Sequence, residues 1–110
     1  KGRRSMEKFI LSALVGKVWT SQFSSGSSED LYFLEGGKGY RVSGGEKNGD
    51  FTYKIDGDQV LTFRAGYSRK ITLKNSVEGE CVYIRSANDH LSCPFVFSRT
   101  ISPSDEGGSQ

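Results

Sequence analysis

Histidine, cysteine, proline and long apolar runs are all scarce in this 110-residue sequence, and each scarcity excludes a class of protein. Two prolines beside fourteen glycines are typical of a chain with many tight turns and not of a Pro-rich disordered segment. No apolar run approaches the ~20 residues that a membrane-spanning helix needs. One histidine and two cysteines are too few for a structural zinc site, which takes four ligands. The sequence therefore predicts no transmembrane segment, no metal and no cofactor.

Sequence signatures of catalysis are missing as well. His90, the single histidine, lies in a predicted polar loop and is expected to be exposed. The chain contains no Gly-x-Ser-x-Gly nucleophile elbow, and no pair of carboxylates stands on one predicted strand face. We therefore predict that the protein is not an enzyme and has no catalytic residues.

Short alternating segments separated by turn signals fill the chain after Gly16. Eight such segments predict an all-β fold, a small antiparallel meander closed into a barrel so that no sheet edge is left open. Before them, apolar residues recur at helical spacing from Ser5 onward and predict a short helix. Residues 1–4 are expected to be disordered or foreign to the native chain, residues 5–101 to form one domain, and residues 102–110 to be a disordered tail.

The turn at residues 35–38 predicts the register of the two strands that it joins. Its Gly-Gly centre supplies the positive φ that hairpin turns require. A turn centred there pairs Phe33 with Tyr40 and Leu31 with Val42, which places all four apolar side chains on one face.

The turn Asp56-Gly57-Asp58 leaves two registers open for the strand that follows it. A two-residue loop would point Val60 and Thr62 inward. A bulged loop would point Leu61 and Phe63 inward instead, and we favour it because these two side chains bury more apolar area.

The two cysteines, Cys81 and Cys93, also leave two arrangements open. If the last hairpin turns at Ala87, the cysteines face each other and a disulfide is feasible. If it turns at Asp89-His90, the thiols stay apart. We favour the disulfide, which in turn favours a secreted or periplasmic protein.

The segment Gly16-Lys17-Val18-Trp19 carries the only tryptophan. With the short helix before it, this segment is similar to the opening of lipocalins and related calycins. Residues 33–39 and 51–58 resemble small bacterial lipocalin-like domains. In those families an arginine of the last barrel strand packs over the tryptophan ring, and the resemblance implies that Arg99 lies across Trp19. The segment departs from the family pattern in being one residue longer.

The resemblance implies a non-catalytic domain that binds a small apolar ligand inside the barrel. The side chains predicted to point inward are Trp19, Phe23, Leu31, Phe33, Tyr40, Val42, Phe51, Tyr53, Ile55, Ile71, Leu73, Val82, Ile84, Phe95 and Phe97. Among these, Phe33, Tyr40, Phe51 and Tyr53 are the predicted ligand-binding residues because their rings give apolar area and the two hydroxyls could orient a polar group.

Two other functions stay open. With a solid core, the domain would instead be a protein-binding module, an inhibitor, immunity or assembly accessory protein, that uses the loops at residues 24–28, 66–67 and 88–90. A nucleic-acid-binding face would need its basic residues to combine with Tyr67 on one surface; these are Lys38, Arg41, Lys54, Arg64, Arg69 and Lys70. The net charge of only +2 argues against that face, so we predict no nucleic-acid partner.

Overall fold

A helix followed by eight consecutive strands makes up most of the described chain. The computed structural model describes the backbone of residues 2–107 and the side chains of residues 4–105. In chain order the elements are α1 (Gly2–Leu14), β1 (Lys17–Gln22), β2 (Ser28–Leu34), β3 (Lys38–Ser43), β4 (Glu46–Asp56), β5 (Gln59–Arg64), β6 (Tyr67–Leu73), β7 (Glu78–Ser86), β8 (Asp89–Thr100) and α2 (Pro103–Gly107).

The strands form a closed barrel in which each strand pairs antiparallel with its neighbours in sequence and β8 pairs with β1. The prediction of an all-β, eight-stranded meander barrel behind a short helix is therefore confirmed. Closure pairs both edges of the sheet. Within residues 2–107, neither helix has the length and apolar content to cross a bilayer.

Both ends of the chain differ in detail from the prediction. α1 begins at Gly2 and not at Ser5, so the segment expected to be loose is helical from residue 2; residue 1 lies outside the described residues. The predicted tail starts with the short helix α2. Ser102 and Asp105 form a capping arrangement at its start, because the Asp105 carboxylate accepts the backbone N–H of Ser102 at 2.7 Å. Residues 108–110 lie outside the described residues.

Trp19 joins α1 to the barrel. Its ring is fully buried and stacks on Phe95, with ring centroids 4.9 Å apart. Its indole Nε1 donates a hydrogen bond to the backbone carbonyl of Ala13 near the end of α1 at 2.9 Å. Ile10 and Leu14 of the same helix are also buried in the core. The apolar face of α1 thus closes one end of the barrel over the tryptophan.

The hairpin formed by β2 and β3 has a different register from the predicted one. Phe33 pairs with Gly39 and Leu31 with Arg41, because the loop holds three residues and not four. A shift of one residue turns every side chain of a strand to the opposite face. Tyr40 therefore lies on the outer face of the barrel with Val42, and Arg41 points inward.

The hairpin formed by β4 and β5 has the two-residue loop. Asp56 pairs with Gln59, so Val60 and Thr62 are buried while Phe63 is 44% exposed. The favoured bulged loop is wrong. The tight turn, with Gly57 at φ 67°, sets the register although it leaves the larger apolar side chain in solvent.

Gly39 is required by this register, and replacing it tests the register directly. A Cβ at residue 39 would lie 2.5 Å from the carbonyl oxygen of Tyr32 and 2.6 Å from ring atom Cε1 of Phe51. We expect Gly39→Ala to lower the free energy of unfolding by about 1–3 kcal/mol, the usual cost of overpacking, as measured by urea denaturation.

The double variant Gly39→Ala/Phe51→Leu is the control. Leucine removes the ring but leaves the Tyr32 carbonyl in place. The double variant should therefore lose less stability than the sum of the two single variants. Additive losses would show that residues 39 and 51 do not touch, which contradicts the observed pairing of β3 with β4.

Candidate functional site

Three of the four predicted ligand-binding residues pack against one another inside the barrel. The ring of Phe33 meets Phe51 and Tyr53 edge to face, with centroids 5.4 Å and 5.2 Å away. The Tyr53 hydroxyl donates a hydrogen bond to the backbone carbonyl of Leu34 at 2.6 Å, and burial raises its pKa. These residues fill the core, and Tyr40, the fourth, is outside it.

Charged side chains occupy the barrel interior beyond this aromatic core. Glu29 of β2 accepts hydrogen bonds from Arg41 of β3 on one carboxylate oxygen and from Arg69 of β6 on the other. All three are buried, with exposed side-chain fractions of 7%, 9% and 4%. We call these three residues the buried ion cluster. It links neighbouring strands β2 and β3 to β6 across the barrel.

Sequence reasoning missed this cluster, although one signal was present. Glu29, Leu31 and Phe33 alternate at period two, so a strand that buries the two apolar residues must bury the glutamate as well. Arg41 was placed outside by the one-residue error in β3. A nucleic-acid-binding face would need Arg69 on the surface, whereas it lies within β6 and is buried.

A small cavity of about 10 Å³ lies beside the buried ion cluster. Arg41, Arg69, Thr62 and Tyr83 line it. The guanidinium of Arg69 stacks over the Tyr83 ring at 4.6 Å, and Arg64 donates a hydrogen bond to the Tyr83 hydroxyl at 3.2 Å. A space of this size holds about one water-sized body.

The two cysteines face each other in the barrel interior. The last hairpin turns at residues 87–88, and Cys81 pairs with Cys93 across β7 and β8. The prediction that the two cysteines face each other is confirmed. Within the described residues, however, both are free, buried thiols, and the predicted disulfide is not formed. The secreted or periplasmic location stays a prediction.

The face assigned to β7 is reversed relative to the prediction. Cys81 pairs on its other side with Ile71, which is fully buried, and Tyr83 pairs with Arg69. Because neighbours in a strand point to opposite faces, Val82 and Ile84 lie on the outer face. Both are only partly buried.

Contact between the two thiols makes them unequal acids. The hydrogen bond from Cys81 lowers the pKa of Cys93 to about 7, with a smaller lowering effect from the positive charge of Arg69. The same hydrogen bond, together with burial, raises the pKa of Cys81. Cys93 is therefore the thiol that ionises first.

Arg99 does not lie across Trp19. The pairing of β8 with β1 shifts register between Val18 and Trp19, so that Trp19 faces Phe97 while Val18 faces Arg99. The extra residue in β8 forms a bulge, which turns Arg99 to the outer face. There its guanidinium carbon lies 5.5 Å from the centre of the Tyr32 ring.

On the outer face, two tyrosines stack between two cations. The rings of Tyr32 and Tyr40 lie 4.6 Å apart and nearly parallel. Arg99 covers Tyr32, and the Lys47 ammonium lies 4.9 Å from the centre of Tyr40. Arg99 also donates to the Tyr32 hydroxyl at 2.6 Å and to both Asp105 oxygens at 2.7 and 2.9 Å. These bonds hold the pKa of Asp105 well below its usual range.

The tyrosine stack lies in an open groove on the outer face of β2 to β5, with a volume of about 1170 Å³. Apolar side chains, among them Val42 and Phe63, share its lining with the two tyrosines. The charged residues that line it are equally divided between the signs: Lys38, Lys47 and Arg64 against Glu35, Asp50 and Asp105. We call this surface the outer groove.

Comparison with protein-family models, curated proteins and solved structures finds no match for this chain. The architecture itself, a closed eight-stranded antiparallel meander, is compatible with a calycin-like fold. Among the side chains of residues 4–105, no group of three or more His, Cys, Asp or Glu is placed to hold a metal ion. His90 is exposed at the start of β8.

The buried ion cluster predicts an asymmetric response to mutation. Glu29→Ala leaves two buried guanidinium groups without their carboxylate, and we expect a loss of about 3–5 kcal/mol in the free energy of unfolding. The triple variant Glu29→Met/Arg41→Met/Arg69→Met removes all three charges and should recover much of that loss. Urea denaturation measures both, and a triple variant less stable than Glu29→Ala would contradict the prediction.

The thiol pair predicts which substitution changes the acidity of Cys93. Cys81→Ala removes the hydrogen-bond donor, so the pKa of Cys93 should rise from about 7 toward the ordinary thiol value of ~8.5. Cys81→Ser keeps an O–H donor and should keep the pKa low. Thiolate absorbance in the ultraviolet, recorded against pH, measures both. Identical titration curves for the two variants would exclude the proposed hydrogen bond as the cause.

Proposed function

We propose that this protein is a non-catalytic binding domain with a lipocalin-like barrel that engages a protein partner through the outer groove. The observation that carries the proposal is the outer groove itself, with about 1170 Å³ of open space over apolar and aromatic side chains. Pockets that hold small ligands usually have volumes of about 300–1,000 Å³. The cavity of about 10 Å³ inside the barrel is far below that range, so the outer groove is the better supported site.

The composition of the outer groove favours a protein segment as its occupant. Protein interfaces combine an apolar centre with a polar rim, and the outer groove has tyrosine, valine and phenylalanine side chains together with three cations and three anions. A polyanion needs a clear excess of basic residues, which is absent from this lining. We therefore propose an extended segment that carries apolar side chains flanked by charges of both signs.

The tyrosine stack is suited to be the centre of such an interface. Tyrosine and arginine are enriched among the residues that contribute most to binding energy. Tyr32 is held by Arg99, which is held in turn by Asp105. Because these side chains are ordered before a partner arrives, binding costs less conformational entropy.

Two of the six basic residues that a nucleic-acid-binding face would need are not on the surface. Arg41 and Arg69 lie inside the barrel and bind Glu29. The loops once considered for a protein partner, at residues 24–28, 66–67 and 88–90, are absent from the outer-groove lining within the described residues. The proposal therefore moves the partner from the loops to the face of the sheet.

Peptide display tests the proposal without knowledge of the natural partner. Peptides selected against the protein would be measured with Phe63→Ser and Val42→Ser, two outer-groove variants, and with Val77→Ser as a matched control. Val77 is 50% exposed and lies outside the outer-groove lining. We expect an affinity loss of about tenfold or more for the outer-groove variants, equivalent to ~1.4 kcal/mol, and less than about twofold for Val77→Ser.

Amide chemical shifts locate the bound peptide independently. They should change along β2 to β5 and at Arg99. The proposal fails if no peptide is selected, if both outer-groove variants bind like the wild type, or if the shift changes cluster on the loops.

A further inference from the structure

The buried ion cluster is not electrically balanced. Arg41 and Arg69 carry two positive charges against the one negative charge of Glu29, and each of these side chains is more than nine-tenths buried. A charge that is removed from water without a partner is costly, because the protein interior cannot replace its hydration. One negative charge is needed to neutralise the buried ion cluster.

Two N–H groups of the same arginines lack acceptors. Arg41 uses Nη1 for Glu29 and Nη2 for the Asn48 carbonyl, and Arg69 uses Nη2 for Glu29. Among the described residues, no hydrogen-bond acceptor is found for Arg41 Nε or Arg69 Nη1. Buried donors almost always find a partner, and a charged donor left without one costs more than a neutral donor.

The small cavity is bordered by the residues that carry these two donors. Arg41 and Arg69 both line it, with Thr62 adding a hydroxyl and Phe51 an apolar surface. Arg64 also contributes to the lining and brings a third positive charge close to the space. The cavity is therefore electropositive and only partly polar.

We propose that this cavity binds one small monovalent anion of halide size. Its volume of about 10 Å³ leaves space for one small body, so a monatomic anion needs less rearrangement of the lining side chains than a tetrahedral oxyanion such as sulfate or phosphate. A single negative charge balances the excess of the buried ion cluster, and a spherical anion can accept hydrogen bonds from both arginines. A water molecule could also accept these bonds, but it would leave the charge in place.

This anion site takes its charge from the buried residues Arg41 and Arg69, which do not line the outer groove, although Phe51 and Arg64 border both spaces. It lies inside the barrel, and its effect is on the stability of the fold. An anion that binds only the folded state raises the folding equilibrium constant by a factor of one plus the ratio of its concentration to Kd, so chloride at ten times Kd raises that constant about elevenfold.

Thermal and urea denaturation in chloride test the site. Sodium chloride would replace sodium gluconate at constant ionic strength, since gluconate is too large for the cavity. A pH of about 6 keeps Cys93, with its pKa of about 7, mostly neutral, so that its thiolate cannot supply the missing charge. We expect wild-type stability to rise with chloride and with bromide.

Two neighbouring residues of β6 provide a matched pair of variants. Arg69→Met removes one charge from the cavity and leaves Glu29 paired with Arg41, so the chloride dependence should vanish. Lys70→Met removes the same charge from an exposed position on the opposite face of β6, so the chloride dependence should remain. Equal responses of the two variants to chloride would overturn the proposal.

Crystals of the wild-type protein soaked in sodium bromide give a direct readout that does not require any variant to fold. We expect an anomalous peak in the cavity, within hydrogen-bonding distance of Arg41 Nε or Arg69 Nη1. A cavity that contains only water, together with stability that is independent of chloride, would overturn the proposal.

Discussion

The pairing of β1 with β8 is the contact on which the rest of the molecule depends. It closes the barrel, and its register also sets the positions of Trp19 in the core and Arg99 on the surface. On the inner face it brings Trp19 against Phe95 and Phe97. On the outer face its bulge turns Arg99 toward Tyr32. One irregularity in one strand pair therefore separates a core anchor from a surface cation that a regular ladder would have kept on the same side.

The register of β3 divides the remaining chemistry between inside and outside. Because Gly39 and not Tyr40 pairs with Phe33, Arg41 points into the barrel and reaches Glu29. The same register places Tyr40 on the outer face, where it stacks on Tyr32. The buried ion cluster and the outer groove are thus two consequences of a single loop length, and neither would exist if the hairpin loop held one more residue.

Alternation and turn signals were sufficient to predict the eight strands, their order and the closed barrel. They failed where two effects competed for one strand. In β3 the apolar residues Tyr40 and Val42 favoured one face, while the three-residue glycine loop and the ion pairs of Arg41 favoured the other. In β5 the tight turn at Gly57 set the register, although burying Phe63 would have removed more apolar area from water. Arg99 lies on the outer face because of a bulge in β8. The alternating pattern of Phe95, Phe97 and Arg99 carries no signal for that bulge.

The buried charges explain why the less hydrophobic register of β3 is stable. An eight-stranded barrel has an interior just wide enough to be filled by side chains, so each inward position must be either apolar or fully paired. A shift of β3 by one residue would bury Tyr40 and Val42, but it would also turn Arg41 outward and leave Glu29 with Arg69 alone. One oxygen of the buried Glu29 carboxylate would then lack its hydrogen-bond donor, and a buried charged group that is short of a partner is costly. Glu29 therefore favours the observed register, and by doing so it places the tyrosine stack on the surface, where a partner can reach it.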